Sequence, residues 1–366
     1  MSIGYSGASG EPGECGELQM RPSVYSLLAC LALTALACVG TPAAADDRDI
    51  CGTQSGDLSL AACSRAIETR QYTGRSLAQL YAGRGLAYLA RRDLEHALAD
   101  FNEAIRVDPT YVRAYNARGI AWRHKGDLDR AIADHDEAIR LDPKNGYAYG
   151  NRGDAWRVKG DVDRAIADYD QAIRLDPSNE YTYVSRGDAW KAKGDLDRAI
   201  ADYDQAIRLD PKDAGPYSSR GVVWKAKGDL DRAIADYSEA IRIDPKEASF
   251  YYNRGIAWKA KGDLDRAIAD YSEAIQLDPN DAGAYVNRGS ALGNKGELDR
   301  AIADYTVAIQ LQPKDPDAYF DRGLAWEREH RLQEALADFR MYSQLAPSEP
   351  DGPKAVARVL EELVAK

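Results

Sequence analysis

The chain has 366 residues, with 48 Lys and Arg against 59 Asp and Glu, which gives a net charge of −11. A hydrophobic fraction of 45% with only 15 Pro excludes a disordered or collagen-like chain, and 22 Tyr beside 4 Phe indicate a repeated pattern. The acidic balance excludes general binding to nucleic acid or to anionic membranes, because a phosphate backbone requires a basic surface.

The N-terminus has the pattern of an export signal. Arg21 precedes an apolar run from Val24 to Val39, and Ala43-Ala44-Ala45 follows as a cleavage site. Met20 is a candidate true start, because the residues upstream are acidic. We therefore predict an exported protein, periplasmic or secreted. The alternative is a membrane-anchored protein facing the periplasm, held by the uncleaved segment or by a lipid on Cys38.

Two cysteines remain after this signal, Cys51 and Cys63, and an even pair in an exported chain indicates one disulfide. The alternative, a redox-active dithiol, would need the closer C-x-x-C spacing. The disulfide would close a loop of about a dozen residues around the start of a predicted helix from Leu58 to Glu68, and would stabilise the fold by about 2–3 kcal/mol. We interpret residues 46–77 as a degenerate half repeat that the disulfide pins.

The rest of the chain repeats every 34 residues. Pro recurs at this spacing from Pro109 to Pro347, and a Gly and an Ala keep the same step through eight copies. Copies in strict phase predict a stack of like units rather than two or three compact domains. The predicted segments are 1–45 (extension and signal), 46–77, eight repeats over 78–349 (78–111, 112–145, 146–179, 180–213, 214–247, 248–281, 282–315 and 316–349), and 350–366.

Each repeat is predicted to be a helical hairpin, and the sixth shows why. Its first helix ends at Gly262, which can adopt the left-handed conformation, and Asp263 can cap a second helix that ends before Pro279. We expect Gly255 and Ala267 to face each other, so that the two helices approach closely while aromatic rings fill the flanks. These rings recur at core positions, which favours packing over a ligand-binding box.

After the last repeat, residues 350–366 are predicted to form an amphipathic capping helix. Ala355 and Val359 fall on one face, and Arg358 and Glu361 fall on the other. Such a helix would cover the apolar end of the stack with a polar surface.

This pattern resembles the tetratricopeptide repeat (TPR) family, whose 34-residue motif places aromatic residues, Gly, Ala and Pro at fixed positions. In the third repeat they stand as Tyr149, Gly153, Trp156, Ala165, Tyr169, Ala172 and Pro177. The resemblance implies an all-α, right-handed superhelical solenoid of helical hairpins, with about eight repeats plus capping helices. Arg92 and His330 replace the turn Gly in the first and last repeats, where irregularity is expected.

One departure from the family is an Arg before each motif Gly, where the family usually has Leu. An Asp follows each Arg sixteen residues later. In a hairpin that turns near its middle, this spacing places the two side chains opposite each other, so we predict a ladder of partly buried ion pairs. The central pairs are Arg118 with Asp134, Arg152 with Asp168, Arg186 with Asp202, Arg220 with Asp236, and Arg254 with Asp270.

The sequence shows no convergent cluster of nucleophile, base or metal ligands, and no Gly-rich phosphate loop. The four His residues lack metal-binding spacing, and His124 and His135 stand where other repeats have Ala and Tyr. We therefore expect no enzyme activity, no metal site and no cofactor.

Function is instead expected where the repeats differ along their first helices, which the resemblance implies line the concave groove. One position carries a row of five cations, and its neighbours supply polar and apolar side chains. The candidate binding residues are Arg123, Arg157, Lys191, Lys225, Lys259, Asn116, Tyr147, Tyr181, Tyr252 and Phe320. The alternative is that the cations are only solvated.

We predict a non-enzymatic protein–protein interaction scaffold that binds a peptide or protein segment with acidic groups, and no nucleic acid. Two alternatives stay open. One is a structural component of a cell-envelope assembly, which would contact the membrane only through a retained or lipidated N-terminal segment. The other is a regulatory subunit of an enzyme on another chain.

Overall fold

A computed structural model describes residues 47–53 and 56–365, and these residues form 19 helices and no strand. The predicted export segment lies outside the described residues. Within them, the all-α solenoid of helical hairpins is confirmed. The helices are α1 (Asp47–Thr53), α2 (Gly56–Glu68), α3 (Gly74–Ala90), α4 (Leu94–Val107), α5 (Val112–Lys125), α6 (Leu128–Leu141), α7 (Gly146–Lys159), α8 (Val162–Leu175), α9 (Glu180–Lys193), α10 (Leu196–Leu209), α11 (Ala214–Ala226), α12 (Leu230–Ile243), α13 (Ala248–Ala260), α14 (Leu264–Leu277), α15 (Ala282–Lys295), α16 (Leu298–Leu311), α17 (Pro316–Arg328), α18 (Leu332–Leu345) and α19 (Asp351–Ala365).

The turn inside each hairpin contains a left-handed residue, and in the first six repeats an aspartate that caps the second helix follows it. In the sixth repeat Gly262 has a φ of +86°, and the Asp263 carboxylate accepts a hydrogen bond from the backbone N–H of Arg266 at 3.1 Å. Arg92 and His330 adopt φ values of 60° and 59° at the equivalent turn. Because a side chain in this conformation costs about 1–2 kcal/mol, the first and last turns are less stable than the glycine turns.

The motif glycine makes room for an aromatic ring. We expected Gly255 to face Ala267, but the structure places the ring of Tyr271 against Gly255, where an added Cβ would lie 2.8 Å from Cε1 of the ring. The corresponding ring is fully buried in the third to sixth repeats. The glycine is therefore required by the packing of the second helix's ring, whereas Ala267 is a separate buried contact.

The Arg and Asp residues of the predicted ladder lie together in all eight repeats. Each guanidinium donates two hydrogen bonds to one carboxylate, with nitrogen–oxygen distances of 2.6–2.9 Å, and each of these carboxylates is buried. The contact with Asp134 raises the pKa of the Arg118 guanidinium. The five central pairs are Arg118–Asp134, Arg152–Asp168, Arg186–Asp202, Arg220–Asp236 and Arg254–Asp270.

The same arginines also bind the preceding repeat, a contact that the spacing within one repeat does not predict. Nη1 of Arg220 donates to Asp204 on α10 at 2.5 Å, while Nη2 of Arg220 holds Asp236 in its own repeat. From the sixth repeat onward the acceptor is a hydroxyl, as in the 3.0 Å contact from Arg254 to Ser238. Each arginine from the second repeat onward therefore ties two consecutive hairpins together as well as the two helices of one hairpin.

A second set of ion pairs joins consecutive repeats on the exposed surface. The Lys before each glycine turn contacts an acidic residue at the start of the preceding repeat's second helix, as Lys193 contacts Asp163 at 2.5 Å and Lys227 contacts Asp197. These carboxylates are largely solvent-exposed. Each such pair contributes only about 0–1 kcal/mol, because solvent screens it.

The segment before the first repeat differs from the expected half repeat. It contains two helices, since α1 precedes α2 and both contact α3. A disulfide joins Cys51 on α1 to Cys63 on α2, with the two Cα atoms 4.8 Å apart. Cys63 and Ala66 are buried, whereas Leu58 is exposed on the opposite side of α2. The disulfide therefore links two helices that close the N-terminal end of the stack.

The last helix, α19, packs against α18 through the buried side chains of Ala355 and Val359. Arg358 on its polar face binds Glu327 on α17 through two contacts of 2.7 Å. Across the part of the chain that the structure describes, no helix combines the length and apolarity needed to cross a membrane.

Candidate functional site

The first helices of the repeats form a continuous surface. Consecutive first helices contact each other directly, from α3 with α5 to α15 with α17, whereas the second helices make no comparable contacts with one another within the described residues. In a stack that bends, the elements on the inside of the bend are the closest together. We call this surface the inner face and define it by the residues equivalent to Arg113, Asn116, Ile120 and Arg123 of α5.

The predicted row of five cations lies on the inner face, but three of them already have partners. Lys191 pairs with Asp188 at 2.9 Å, and Lys259 donates to the Ser290 hydroxyl at 2.8 Å. Burial acts to lower the pKa of Arg157, but the interaction with the Tyr169 hydroxyl leaves this pKa raised, while Nε of Arg157 is buried without an acceptor. These three side chains are half-buried rather than simply solvated.

Arg123 and Lys225 are the exceptions in this row. Neither makes an ion pair or a hydrogen bond with any described residue, although both are half-buried. Nε of Arg123 is buried and lacks an acceptor. The two cations that can bind an external anion most readily therefore stand on α5 and α11, three repeats apart.

Two carboxylates neutralise the middle of the inner face, a role that was not predicted from the sequence. Asp154 is 1% exposed and accepts hydrogen bonds from the hydroxyls of Tyr169 at 2.7 Å and Tyr181 at 2.9 Å. Asp188 accepts from Lys191 and from the Tyr203 hydroxyl. The signal in the sequence was an Asp at a place where neighbouring repeats carry Ile or Val.

The candidate residues at the N-terminal end line a cavity of about 1150 Å³ between α1, α2, α3, α5 and α7. Leu86 and Ile120 form part of the apolar wall of this cavity, and Tyr147, which is 68% exposed, lies at the edge of the cavity. Asn116 accepts a hydrogen bond from Nδ1 of His135 at 2.8 Å, so it also orders the core beneath the cavity. This end of the inner face therefore offers an opening with apolar walls.

Tyr252 and Phe320 are half-exposed on the inner face, and both also pack against the chain's own core. The Tyr252 ring lies 6.1 Å from that of Tyr271, and the Tyr252 hydroxyl accepts from the Asn287 amide at 3.0 Å. Phe320 packs against Phe339 with ring centroids 5.5 Å apart. Their exposed edges remain available to a partner, but their orientation is fixed by the chain's own core.

Acidic residues replace cations toward the C-terminal end of the inner face, although Arg358 pairs with one of them, Glu327. Burial raises the pKa of Asp321 to about 6, with Asp317 adding to the effect and Lys259 opposing it. Glu327 takes the place that a cation holds in the middle repeats. Within the described residues no group of three His, Cys, Asp or Glu side chains is placed to hold a metal ion.

Known families and structures match this arrangement. Models described as tetratricopeptide repeat match residues 83–146, 146–179 and 288–364, and a model described as TPR repeat matches residues 187–226, 225–262 and 257–296. No curated protein matches the chain.

Three solved structures illustrate the shared fold. The C-terminal part of a TPR repeat-containing protein from Cytophaga hutchinsonii is 17% identical, with a TM-score of 0.55 over 65% of this chain and 98% of that chain. A tetratricopeptide repeat protein from Parabacteroides merdae is 19% identical, with a TM-score of 0.51 over 68% and 98%. A structure of the APC/C hetero-tetramer Cut9–Hcn1 is 17% identical, with a TM-score of 0.52 over 83% of this chain and 59% of that chain. Identities this low show a common fold alone.

Proposed function

The chain belongs to the tetratricopeptide repeat family, and from this premise we propose that it is a non-enzymatic scaffold that binds a peptide or protein segment along the inner face. Proteins of this family serve protein–protein interaction in general and are typically non-catalytic. The proposal adds the surface, the acidic character of the segment and the residues that contact it.

The observation that carries the proposal is the contrast between two sets of residues. The rings, the glycines and the arginine–aspartate pairs recur from repeat to repeat, because each hairpin must pack on the next one. On the inner face the repeats differ, and that is where Arg123 and Lys225 stand without partners. Unpaired, half-buried cations support the recognition of an acidic segment, for which they would supply register and steering.

Affinity capture from an envelope extract tests the proposal. The wild-type chain is compared with a variant that carries Arg123→Glu and Lys225→Glu. The matched control carries Arg174→Glu and Arg208→Glu, because these exposed arginines lie on second helices and bind only neutral Gln side chains. We expect the control to retain the captured partner and the inner-face variant to lose it. Equal capture by both variants would contradict the proposal.

We also propose that the protein is exported, with the segment before Asp46 removed. The apolar run and the Ala-Ala-Ala site support this proposal, and a disulfide between Cys51 and Cys63 is consistent with an oxidising compartment. Fractionation with N-terminal sequencing tests it: we expect a mature chain that begins at Asp46 in the periplasmic or secreted fraction. A membrane-bound chain that retains the segment would favour the tethered structural component instead.

A further inference from the structure

We propose that the cavity between α1, α2, α3, α5 and α7 receives a large apolar side chain of the partner segment, and that a flanking carboxylate of the same segment pairs with Arg113. The inference rests on the proposed function and names the apolar anchor that the inner face recognises. Arg113 lies outside the row of five cations on which the proposed function depends.

The cavity is open and large enough for such an anchor. Its volume of about 1150 Å³ exceeds the range of about 300–1,000 Å³ that is usual for ligand pockets. Its apolar wall reaches the surface, since Leu86 is 41% exposed and the Tyr147 ring at the edge is exposed as well. A side chain from outside can therefore contact apolar atoms that are already accessible.

Two consecutive first helices supply the apolar wall in register. Leu86 on α3 and Ile120 on α5 are 34 residues apart, so they occupy the same place in their repeats. In the next two repeats Asp154 and Asp188 take this place, and both bind tyrosine hydroxyls. The apolar strip that begins at the N-terminal end therefore ends at the third repeat.

Helix α1 forms a further wall, which the repeats alone would not provide. Cys51 on α1 lines the cavity, and an added Cβ on Gly83 of α3 would lie only 2.9 Å from the Cys51 sulfur. The two helices are therefore in close contact, and the disulfide to Cys63 holds α1 against α2. Because its walls are linked in this way, the cavity is preformed, which lowers the entropy cost of binding.

The charges around the cavity favour an acidic partner, although the whole chain is acidic. Helices α3 and α5 contain no Asp or Glu, whereas α17 contains three acidic residues. Arg48 and Arg113 line the cavity and are exposed, and Asp49 is the one acidic residue among the described residues that line it. Arg113 has no hydrogen bond or ion pair with any residue that the structure describes, so it is available to an external carboxylate.

Helix α5 indicates how the partner's charges are spaced. Arg123, the unpaired cation of the row, follows Arg113 by ten residues, and Ile120 lies between them. Ten residues of helix span about 15 Å, which is roughly the length of five residues of extended chain. The segment that fits therefore carries a large apolar residue between two acidic residues about five positions apart.

Fluorescence anisotropy with the full chain and three labelled octapeptides tests the inference. The parent peptide is Ala-Glu-Ala-Phe-Leu-Ala-Glu-Ala with an amidated C-terminus; the second has Ala in place of Phe and Leu, and the third has Gln in place of both Glu. We expect the parent to bind at low salt and each derivative to bind about tenfold more weakly, because each lacks one kind of contact. Failure of the parent to bind at millimolar concentration, or equal affinity of the three peptides, would overturn the inference.

Variants of exposed cavity residues show where the peptide binds. Leu86→Ser removes apolar wall, and Arg113→Gln removes a cation without breaking an ion pair; each should weaken the parent peptide about fivefold or more. The matched controls are Leu360→Ser on α19, where the leucine is 39% exposed, and Arg174→Gln on α8, where the arginine binds only Gln171. Both controls should keep the affinity within about twofold of wild type.

The derivatives make this comparison specific for each contact. Leu86→Ser should weaken the parent peptide much more than the Ala derivative, and Arg113→Gln should weaken the parent much more than the Gln derivative, because a contact can be lost only once. Wild-type affinity for the parent peptide in both cavity variants would overturn the inference.

A second copy of the chain is the other occupant that the assay must separate. We expect sedimentation equilibrium to give a monomer at the concentrations of the peptide titration. A dimer that Leu86→Ser dissociates would assign the cavity to a second copy and would overturn the inference.

Capture from the envelope extract separates this inference from the proposed function. If the partner depends on Arg123 and Lys225 but is retained by Leu86→Ser and Arg113→Gln, the scaffold function stands and this inference fails. Loss of the partner in the two cavity variants alone would support the cavity and refute the role of the row of cations. Retention by every variant would refute both.

Discussion

His135 makes the stability of the second repeat depend on pH. Its ring takes the place that Tyr or Phe holds in every other repeat and is 0% exposed. Burial lowers the pKa of His135 from 6.5 to about 3, and the positive charges of Arg123 and Arg152 add to the effect. Its Nδ1 bonds to Asn116, but Nε2 has no partner, so the folded chain holds the ring neutral.

The direction and the size of this pH dependence follow from the difference between the His135 pKa values of the folded and unfolded chains. As the pH falls below 6.5, the unfolded chain gains a proton on this histidine and the folded chain does not, so folding stability is present above pH 6.5 and is lost progressively toward pH 3. With these two pKa values, about 2 kcal/mol of stability disappears between pH 8 and pH 5. The substitution His135→Phe removes this loss, and it uses the residue that the first and last repeats already carry at this place.

Urea unfolding followed by circular dichroism at pH 8 and at pH 5 measures the effect. We expect the variant to gain about 2 kcal/mol relative to wild type on going from pH 8 to pH 5. Tyr237→Phe is the matched control, because it changes a ring at the same place in another repeat and removes no group that titrates in this range. The same stability difference at both pH values, or an NMR titration of His135 near pH 6.5, would refute the reasoning.

Three further changes test the packing. Arg220→Ala should lower the free energy of unfolding by about 3–5 kcal/mol, because it leaves a buried carboxylate unpaired, and adding Asp236→Ala should recover part of the loss; equal values in a urea series would refute the pairing. Gly153→Ala should lower the free energy of unfolding by about 1–3 kcal/mol, because the added Cβ would lie 2.7 Å from a buried ring. Gly150→Ala, where the nearest atoms lie 4.0 Å away, should instead raise it by about 0.5–1 kcal/mol. Thermal unfolding of the two variants measures both effects, and equal shifts would contradict the expected packing. Reducing the N-terminal disulfide should lower stability by about 2–3 kcal/mol and raise hydrogen exchange in α1 and α2, and unchanged exchange would argue against its structural role.

The hairpins could be predicted because their signals are local. A turn glycine followed by a capping aspartate fixes where one helix ends and the next begins, whatever surrounds them. The pairing of Arg220 with Asp236 was also accessible, because sixteen residues separate facing positions of one hairpin. The disulfide partners were the two cysteines left after the predicted signal, although α1 itself was not foreseen.

The contacts between repeats could not be predicted, because they depend on the angle at which hairpins stack. The third hydrogen bond of Arg220, to Asp204, crosses a repeat boundary, and no spacing within one motif encodes it. For the same reason the cations of the inner face looked alike in the sequence. Only the structure separates Lys191, which Asp188 neutralises, from Lys225, which has no partner.

This division separates the residues that stack the hairpins from the residues that are free to differ between repeats. The arginine–aspartate ladder and the buried rings hold one hairpin on the next, so the residues of the inner face are not needed for stacking and are free to vary. Where an aspartate lies between the cation and the tyrosine, as Asp188 does, it accepts hydrogen bonds from both and neutralises the cation. Where valine stands instead, as at Val222, the Tyr237 hydroxyl is buried without an acceptor and Lys225 has no partner among the described residues, so a single residue changes the charge that a repeat presents on the inner face.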